Sequence, residues 1–399
     1  MSHILLKLLM TKFAKLVYNK PFVLVAYFGL SLFAVVKSVI VNHIHDNYFV
    51  YKFAFFDIIH QQTPFGPVRG PMHDQFHYGP VFSILMAPFA LLPDGIGVIL
   101  WVMFNAWVLF YSIKRLPLKE GYYLPVLLIC AHELMTSSSN VEINPLIAAL
   151  IILSFVFVRD KKDFWAALMI CLGMFIKLYG IVGLAFFFLS DNKPKFILSM
   201  VFWSVILFLA PMALTSPSYI IQNYHDWYAD LLNKNLHNIA PSFQDISLMG
   251  LIRNIFNYRE LSNIVVIIPG ILLFGLWYLR VKCYRLLPYQ LLLLASTLIF
   301  VIIFSSSSES PTYIIAVAGV AIWFMNLERP VTGFEISLLV FALVLTVFSP
   351  SDLFPKYIRL NYVQPYKLKA LPCVLIWFKI IYETSKRKFD SGQLKNLPT

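Results

Sequence analysis

A few short stretches of this chain carry side chains that could do chemistry. Asp46 follows the first long apolar run, 21–41. A carboxylate at the edge of a hydrocarbon layer is partly dehydrated, which raises its pKa and suits it to accept a proton from a hydroxyl. Asp is also a favoured N-cap, and Tyr48, Phe49, Tyr51, Phe53, Phe55, Phe56, Ile58 and Ile59 after it read as a helix lying in the interface plane. The two roles can coexist. Lys177 stands in LGMFIKLYGIVGLAFFF, where a cation is costly unless it serves a purpose, such as holding a lipid phosphate as a point charge. Snorkelling is the alternative there, and it is the better account for Lys37 and Lys379 near span ends.

Three polar loops add hydrogen-bonding groups. SSSNVEINP carries Asn140, Glu142 and Asn144, readable as a turn with a helix start or as a pocket wall. SSSSESPTY carries Glu309, and SFQDISLMGLIRN carries Arg253, which could meet a phosphate or lipid headgroups. His43, His45, His60, His73 and His77 share one segment with Asp46, Asp57 and Asp74. Their spacing matches no HExxH or tight His/Cys ligand set, so no metal is expected.

The elements that must position these groups follow from composition. The chain has 399 residues, 59% hydrophobic and 13% charged, against about 25% charged in a soluble domain. A soluble globule, a disordered chain and a disulfide-stapled secreted domain are excluded. Cys130, Cys171, Cys283 and Cys373 form no CxxC pair and read as small core residues. The expectation is an all-α polytopic membrane protein. It is a single integral domain over 1–399, with a surface helix over 1–20, outer segments 42–95 and 214–261, and a tail over 383–399.

Basic clusters at 1–20, 114–119, 159–162, 193–195, 280–285, 329 and 386–395 indicate one cytoplasmic side. For all to share it, the run 80–93 must not cross, and 164–189 must cross twice as a shortened pair broken near Lys177–Gly180. About twelve spans result, with interfacial helices in the first outer segment, both termini cytoplasmic and the chemistry facing outward. The net charge of +12 then needs no nucleic-acid partner.

Asp46, the aromatic helix, HYGPVFSILMAPFALLP, NVEINPLIAALIIL, GMFIKLYGIVGLAFFFL and ISLMGLIR occur in an order that resembles glycosyltransferase family 87. The resemblance covers most of residues 20–330. It implies a GT-C bundle and a mannosyltransferase-like enzyme using a polyprenyl-phosphate sugar donor. The chain departs from that family's pattern at Tyr78-Gly79-Pro80, Val141-Glu142-Ile143-Asn144 and Ser308-Glu309-Ser310-Pro311, which leaves the sugar open.

Carried onto matching positions, the resemblance implies Asp46 as base, with Asp57 or Glu309 as residues that could share the role. It implies Lys177 and Arg253 as donor-phosphate ligands. The sugar or acceptor pocket would be lined by His45, Tyr78, Asn140, Glu142, Asn144 and Glu309. The expected partners are the lipid donor, a lipid or glycan acceptor and membrane lipids. No cofactor is expected, since a monophosphate donor makes a divalent ion less necessary without excluding one. A transporter or flippase of a lipid-linked sugar, or a glycan polymerase or ligase, is the alternative.

Overall fold

The computed structural model describes residues 15–41, 46–66, 74–238, 244–387 and 389; the side chains of Asp46 and of 235–238 are outside the described set. His45, His43, His73 and most of the expected surface helix over 1–20 lie outside the described residues.

Among the described residues every regular element is helical. That follows from the solvent, because in lipid each backbone N–H and C=O must be satisfied within its own segment. The helices are α1 (Lys20–Val41), α2 (Asp46–Ile59), α3 (Val81–Ala90), α4 (Asp94–Lys114), α5 (Tyr123–Ser139), α6 (Asn144–Arg159), α7 (Asp163–Ile176), α8 (Lys193–Leu209), α9 (Pro217–Asn238), α10 (Leu248–Ile255), α11 (Asn263–Gly275), α12 (Leu287–Ile303), α13 (Ile314–Met325), α14 (Gly333–Phe341) and α15 (Leu371–Lys386). A 3-10 segment, Leu178–Leu189, separates α7 from α8.

α6, α12 and α13 form the buried centre, with almost every side chain sealed. α1, α8 and α11 are peripheral and turn apolar side chains outward, among them Val25 (72% exposed), Leu198 (70%) and Leu272 (68%). A chain that buries its most apolar helices and still exposes such residues is a polytopic membrane protein. Three helices, Lys20–Val41, Asp94–Lys114 and Lys193–Ala213 (α8 with a following 3-10 turn), have the length and composition to cross a membrane singly. α3 has 10 residues, about 15 Å, half the thickness of a hydrocarbon core. α2 buries Tyr48, Tyr51, Phe55 and Ile58, a stripe at helical spacing that packs against α3.

One end of the bundle collects the basic loops. Arg115 meets Asp160 at 3.2 Å, Lys161 meets Asp191 at 3.0 Å and Arg387 meets Glu328 at 2.5 Å. The opposite end collects the polar tips that follow α5, α7 and α12.

The run over 164–189 folds back on itself at Lys177, whose backbone is extended (φ −146°, ψ 124°) between α7 and the 3-10 segment. The two limbs lie antiparallel: Gly180 packs on Gly173, and Gly183 on Ile170. The 14 residues of α7 and the 12 of the 3-10 segment reach about 21 and 24 Å, because a 3-10 helix rises about 2.0 Å per residue against 1.5 Å in an α-helix. The tight winding gives a short segment extra reach.

A Cβ on Gly180 would stand 2.3 Å from the Gly173 carbonyl carbon and 2.5 Å from the Met174 nitrogen, both backbone atoms that cannot step aside. Gly180→Ala is therefore expected to destabilise the protein by about 1–3 kcal/mol, the range for overpacking. Thermal unfolding of the purified variant in detergent checks this, and a midpoint equal to wild type would show that the limbs are not in tight contact.

Candidate functional site

Lys177 owes its place to topology. α6 begins at Asn144, α7 returns beside it, and the chain therefore brings Lys177 back to the level at which α6 started. Lys177 Nζ donates to Asn144 Oδ1 at 2.9 Å. It also lies 4.9 Å from the ring centre of Tyr179 and 5.7 Å from that of Tyr78, within reach of cation–π attraction. The other end of the Asn144 amide donates to Glu142 Oε2 at 3.2 Å. Glu142 also accepts from Asn47 Nδ2 at 3.3 Å, and the Tyr78 hydroxyl stands 3.5 Å away. The Tyr51 and Tyr78 hydroxyls meet at 3.2 Å.

Tyr78 is held by its neighbour. Gly79 N donates to Ile176 O at 3.1 Å, strapping this strand of chain across the end of α7. A Cβ on Gly79 would fall 2.0 Å from the Phe175 carbonyl oxygen, so only glycine permits the approach. Outside this strap lies α9: Trp227 Nε1 donates to the His77 carbonyl at 3.1 Å, and Asp230 meets His77 Nδ1 at 2.7 Å.

Of these groups, Asn47, Tyr51, Tyr78, Glu142, Lys177 and Tyr179 line the polar head of a cavity of about 520 Å3. Its remaining wall is apolar, with Ile181 and Val182 from the 3-10 segment, Ile264 and Ile267 from α11, and Phe300 and Phe304 from the end of α12. Ile264 is 63% exposed, so the apolar wall is continuous with the outer, lipid-facing surface of α11. The cavity thus has a charged head and an oily exit.

Tyr78, Glu142, Lys177 and Glu309 all line this cavity, and Asn144 braces two of them from behind. Asn140 lies apart: it closes α5, with Nδ2 on Thr136 O at 2.8 Å, and its carbonyl accepts from Asn47 at 2.8 Å. Arg253 does not line the cavity. Its guanidinium is 5% exposed and spends its donors on Asp245 Oδ2 at 2.6 Å, the Leu261 carbonyl and Asn263, tying α10 to the start of α11. Asp57 does not line the cavity either. The backbone of Asp46 opens α2 one residue before Asn47, whose amide bridges Asn140 and Glu142; its carboxylate and His45 lie outside the described residues.

Sequence reasoning missed Lys234, Tyr51 and Asn47, all in the lining. Lys234 sits on α9, whose mean hydropathy is unremarkable, and only the docking of that helix on His77 brings it over the head of the cavity. Asn47 stands next to a residue singled out for chemistry, which was the available signal.

Burial pushes the Glu142 carboxyl up to about 7; Lys177 opposes the rise and Glu309 adds to it. Burial, with Glu142 next, holds the Tyr78 phenol well above its ordinary value, so it stays a donor. Glu142 is therefore neutral below about pH 7 and charged above it.

A family model described as glycosyltransferase family 87 matches residues 76–306, more than half of the chain. No curated protein matches it.

The Glu142 shift has a measurable consequence. A phosphodiester carries one fixed negative charge across this range, so an ionised Glu142 repels it. If the substrate entering this cavity is such an anion, its KM is expected to rise as pH increases through about 7 in wild type and to stay flat in Glu142→Gln. Steady-state kinetics from pH 5.5 to about 8.5 check this, and parallel profiles for both proteins would remove Glu142 as the group responsible.

Proposed function

This chain belongs to glycosyltransferase family 87 and is a membrane glycosyltransferase, and on that footing we propose that it moves a hexose from a polyprenyl-phosphate donor to an acceptor outside the cytoplasmic membrane. The observation that carries this reading is the 520 Å3 cavity, with Lys177 at its head and an apolar wall leading to the lipid-facing side of α11. An isoprenoid phosphate has the same two-part chemistry. Mannose is the sugar proposed, on the family resemblance alone. The basic loops gathered at one end support a cytoplasmic placement for that end and an outward placement for the cavity.

The reaction needs few groups. An acceptor hydroxyl oxygen forms a bond to the anomeric carbon as the bond from that carbon to the phosphate oxygen breaks. The electron pair leaves with the phosphate, and the hydroxyl proton passes to a carboxylate, assigned to Asp46. Attack opposite the leaving group inverts the anomeric centre. A phosphate leaves without protonation, so one base suffices, unlike glycosidases with their two carboxylates. Lys177, with Lys234 in the role expected of Arg253, stabilises the charge that grows on the leaving oxygen. Tyr78 and Asn144 position Lys177 and the sugar, and Glu142 holds Asn47, the neighbour of the base.

The test uses purified protein, polyprenyl-phosphate mannose and a membrane lipid extract, with release of polyprenyl phosphate as the readout. Wild type is expected to release it, with Asp46→Asn slower by about 10²–10⁴-fold, the worth of a general base. Lys177→Gln is expected to lower kcat/KM by about tenfold or more. Equal rates in Asp46→Asn would reassign the base, and no release with any of several polyprenyl-phosphate hexoses would sink the donor class.

A further inference from the structure

A second cavity, of about 970 Å3, lies between α1, α5 and the segment 349–369, and Glu309 lines both. Leu30, Phe33 and Ala34 of α1 give it an apolar wall, and Lys37, Arg359, Lys367 and Lys369 line its head. Charge there is met within the chain, Lys369 by Glu133 at 2.7 Å and Arg359 by Asp352 at 3.3 Å. A different kind of surface lies on α9.

The residues of α9 fall on three faces, each about a third of a turn from the next. Ile220, Tyr224, Trp227 and Leu231 turn inward. Tyr224 stacks on Phe208 at the end of α8, with ring centres 4.7 Å apart, and Trp227 and Leu231 line the first cavity. Gln222, Asp226, Ala229 and Asn233 make a polar face, on which Gln222 donates to Asp226 at 2.9 Å. The third face carries Ile221 (45% exposed), Tyr228 (65%) and Leu232 (50%), spaced by seven and four residues, with exposed His225 between them. Water on both open sides would give no reason for two such unlike faces.

The contacts of α9 fix how it lies. Ser216, just before it, meets Gln61 at 3.3 Å, and the Tyr219 hydroxyl donates to the Gln62 carbonyl, beyond the end of α2. Tyr224 rests on the end of α8. Leu231 and Lys234 line the first cavity together with Asn263 and Ile264, the first residues of α11. α8 and α11 are peripheral helices with apolar side chains turned outward, so these two ends mark one level. A helix that rests on both, over about 15 Å from Tyr224 to Lys234, runs across the bundle and not along it. Its apolar stripe continues the surface of Val205, Ile206 and Leu209, which α8 exposes at the same end.

We propose that α9 is a membrane-surface helix, with Ile221, Tyr228 and Leu232 seated in the interfacial layer of the bilayer, and that this seat sets the height of Lys234 over the first cavity. The stripe carries no Lys, Arg, Asp or Glu, so the partner is the lipid surface itself and not an anionic headgroup. Tyrosine, with an apolar ring and a polar tip, suits that layer. Asp226 and Gln222 stay in water on the polar face. Lys234 belongs to the same rigid helix, two residues beyond Leu232, so lifting the stripe out of the interface would shift the cation. That second half of the proposal rests on the first cavity being the donor site, whereas the seat does not.

The experiment uses the full chain in phosphatidylcholine nanodiscs, spin-labelled at one introduced cysteine. The four native cysteines are buried, and the wild-type chain gives their background. Relative access of oxygen and of a nickel chelate to the label reads its depth. Labels at Tyr228→Cys and Leu232→Cys are expected about 5–10 Å into the boundary between headgroups and acyl chains, and a label at Ala229→Cys in water. The same depths are expected when phosphatidylglycerol replaces part of the lipid. In turnover, Tyr228→Asp should raise the donor KM about fivefold, the low end for coupling between two sites. Ala229→Asp, the same charge one residue away on the polar face, should leave it unchanged. Nickel access at 228 and 232 equal to that at 229 overturns the seat, and so do labels closed to both reagents, as beneath a second protein. Depth that appears only with the anionic lipid overturns it as well. An equal donor KM in the two aspartate variants overturns the link to Lys234. Depth is read without turnover, so the expected depths in a chain that releases no polyprenyl phosphate support the seat and fail the donor reading instead.

Discussion

An ammonium group at the turn of a hairpin inside a membrane protein must be compensated, and the organisation of this molecule's polar end depends on how that is done at Lys177. The hairpin exists because Gly173 and Gly180 let two backbones touch, and because a 3-10 limb gains reach from its steep rise. Once the chain reverses there, the cation is half-buried. Asn144 supplies an oxygen at 2.9 Å and two tyrosine rings supply their faces. Glu142 offsets the charge at longer range through the same amide. Asn47, Tyr78 and Tyr51 then assemble around Glu142, so α2, the strap carrying Tyr78 and two hairpin tips meet around one positive charge.

The cations at this end of the molecule are held in two physically different ways. Arg253 and Lys369 each face a buried carboxylate at hydrogen-bond distance, with carbonyl oxygens taking further donors. Breaking such a pair leaves an uncompensated charge in a poor solvent, so these residues act as struts. Lys177 is matched instead by an amide dipole and by rings. Dipoles stabilise a cation without neutralising it, and the remaining attraction is available to an anion that enters the cavity. On the proposed reading this distinction, invisible in residue type, separates an anion-binding cation from a strut.

The cavity heads are polar and their lower walls are apolar, and each draws its apolar wall from a peripheral helix, α11 for one and α1 for the other. That arrangement is economical in a bilayer. A peripheral helix already turns apolar side chains outward, so a groove along it can take a hydrocarbon chain without exposing any polar backbone. On the proposed reading, the charged end of such a lipid would lie at the level where the polar tips gather.

Read as a sequence, the chain itself determined the solvent it lives in, its all-helical class, its family, the break at Lys177 and the polar character of the tips carrying Asn140, Glu142, Asn144 and Glu309. These are local or compositional properties: a run of apolar residues, an ion within it, or a glycine beside it has the same meaning wherever the rest of the chain lies. Tertiary structure decided which of those groups share a cavity. It turned Arg253 inward onto Asp245, set Asn140 apart from Glu142 two residues away, and brought Lys234 over the cavity from a helix that docks through Trp227 and Asp230. It also set Lys37 opposite Arg359 and Lys367. Each of these depends on residues far apart in the chain, and a charge acquires its role from the partner that packing brings to it.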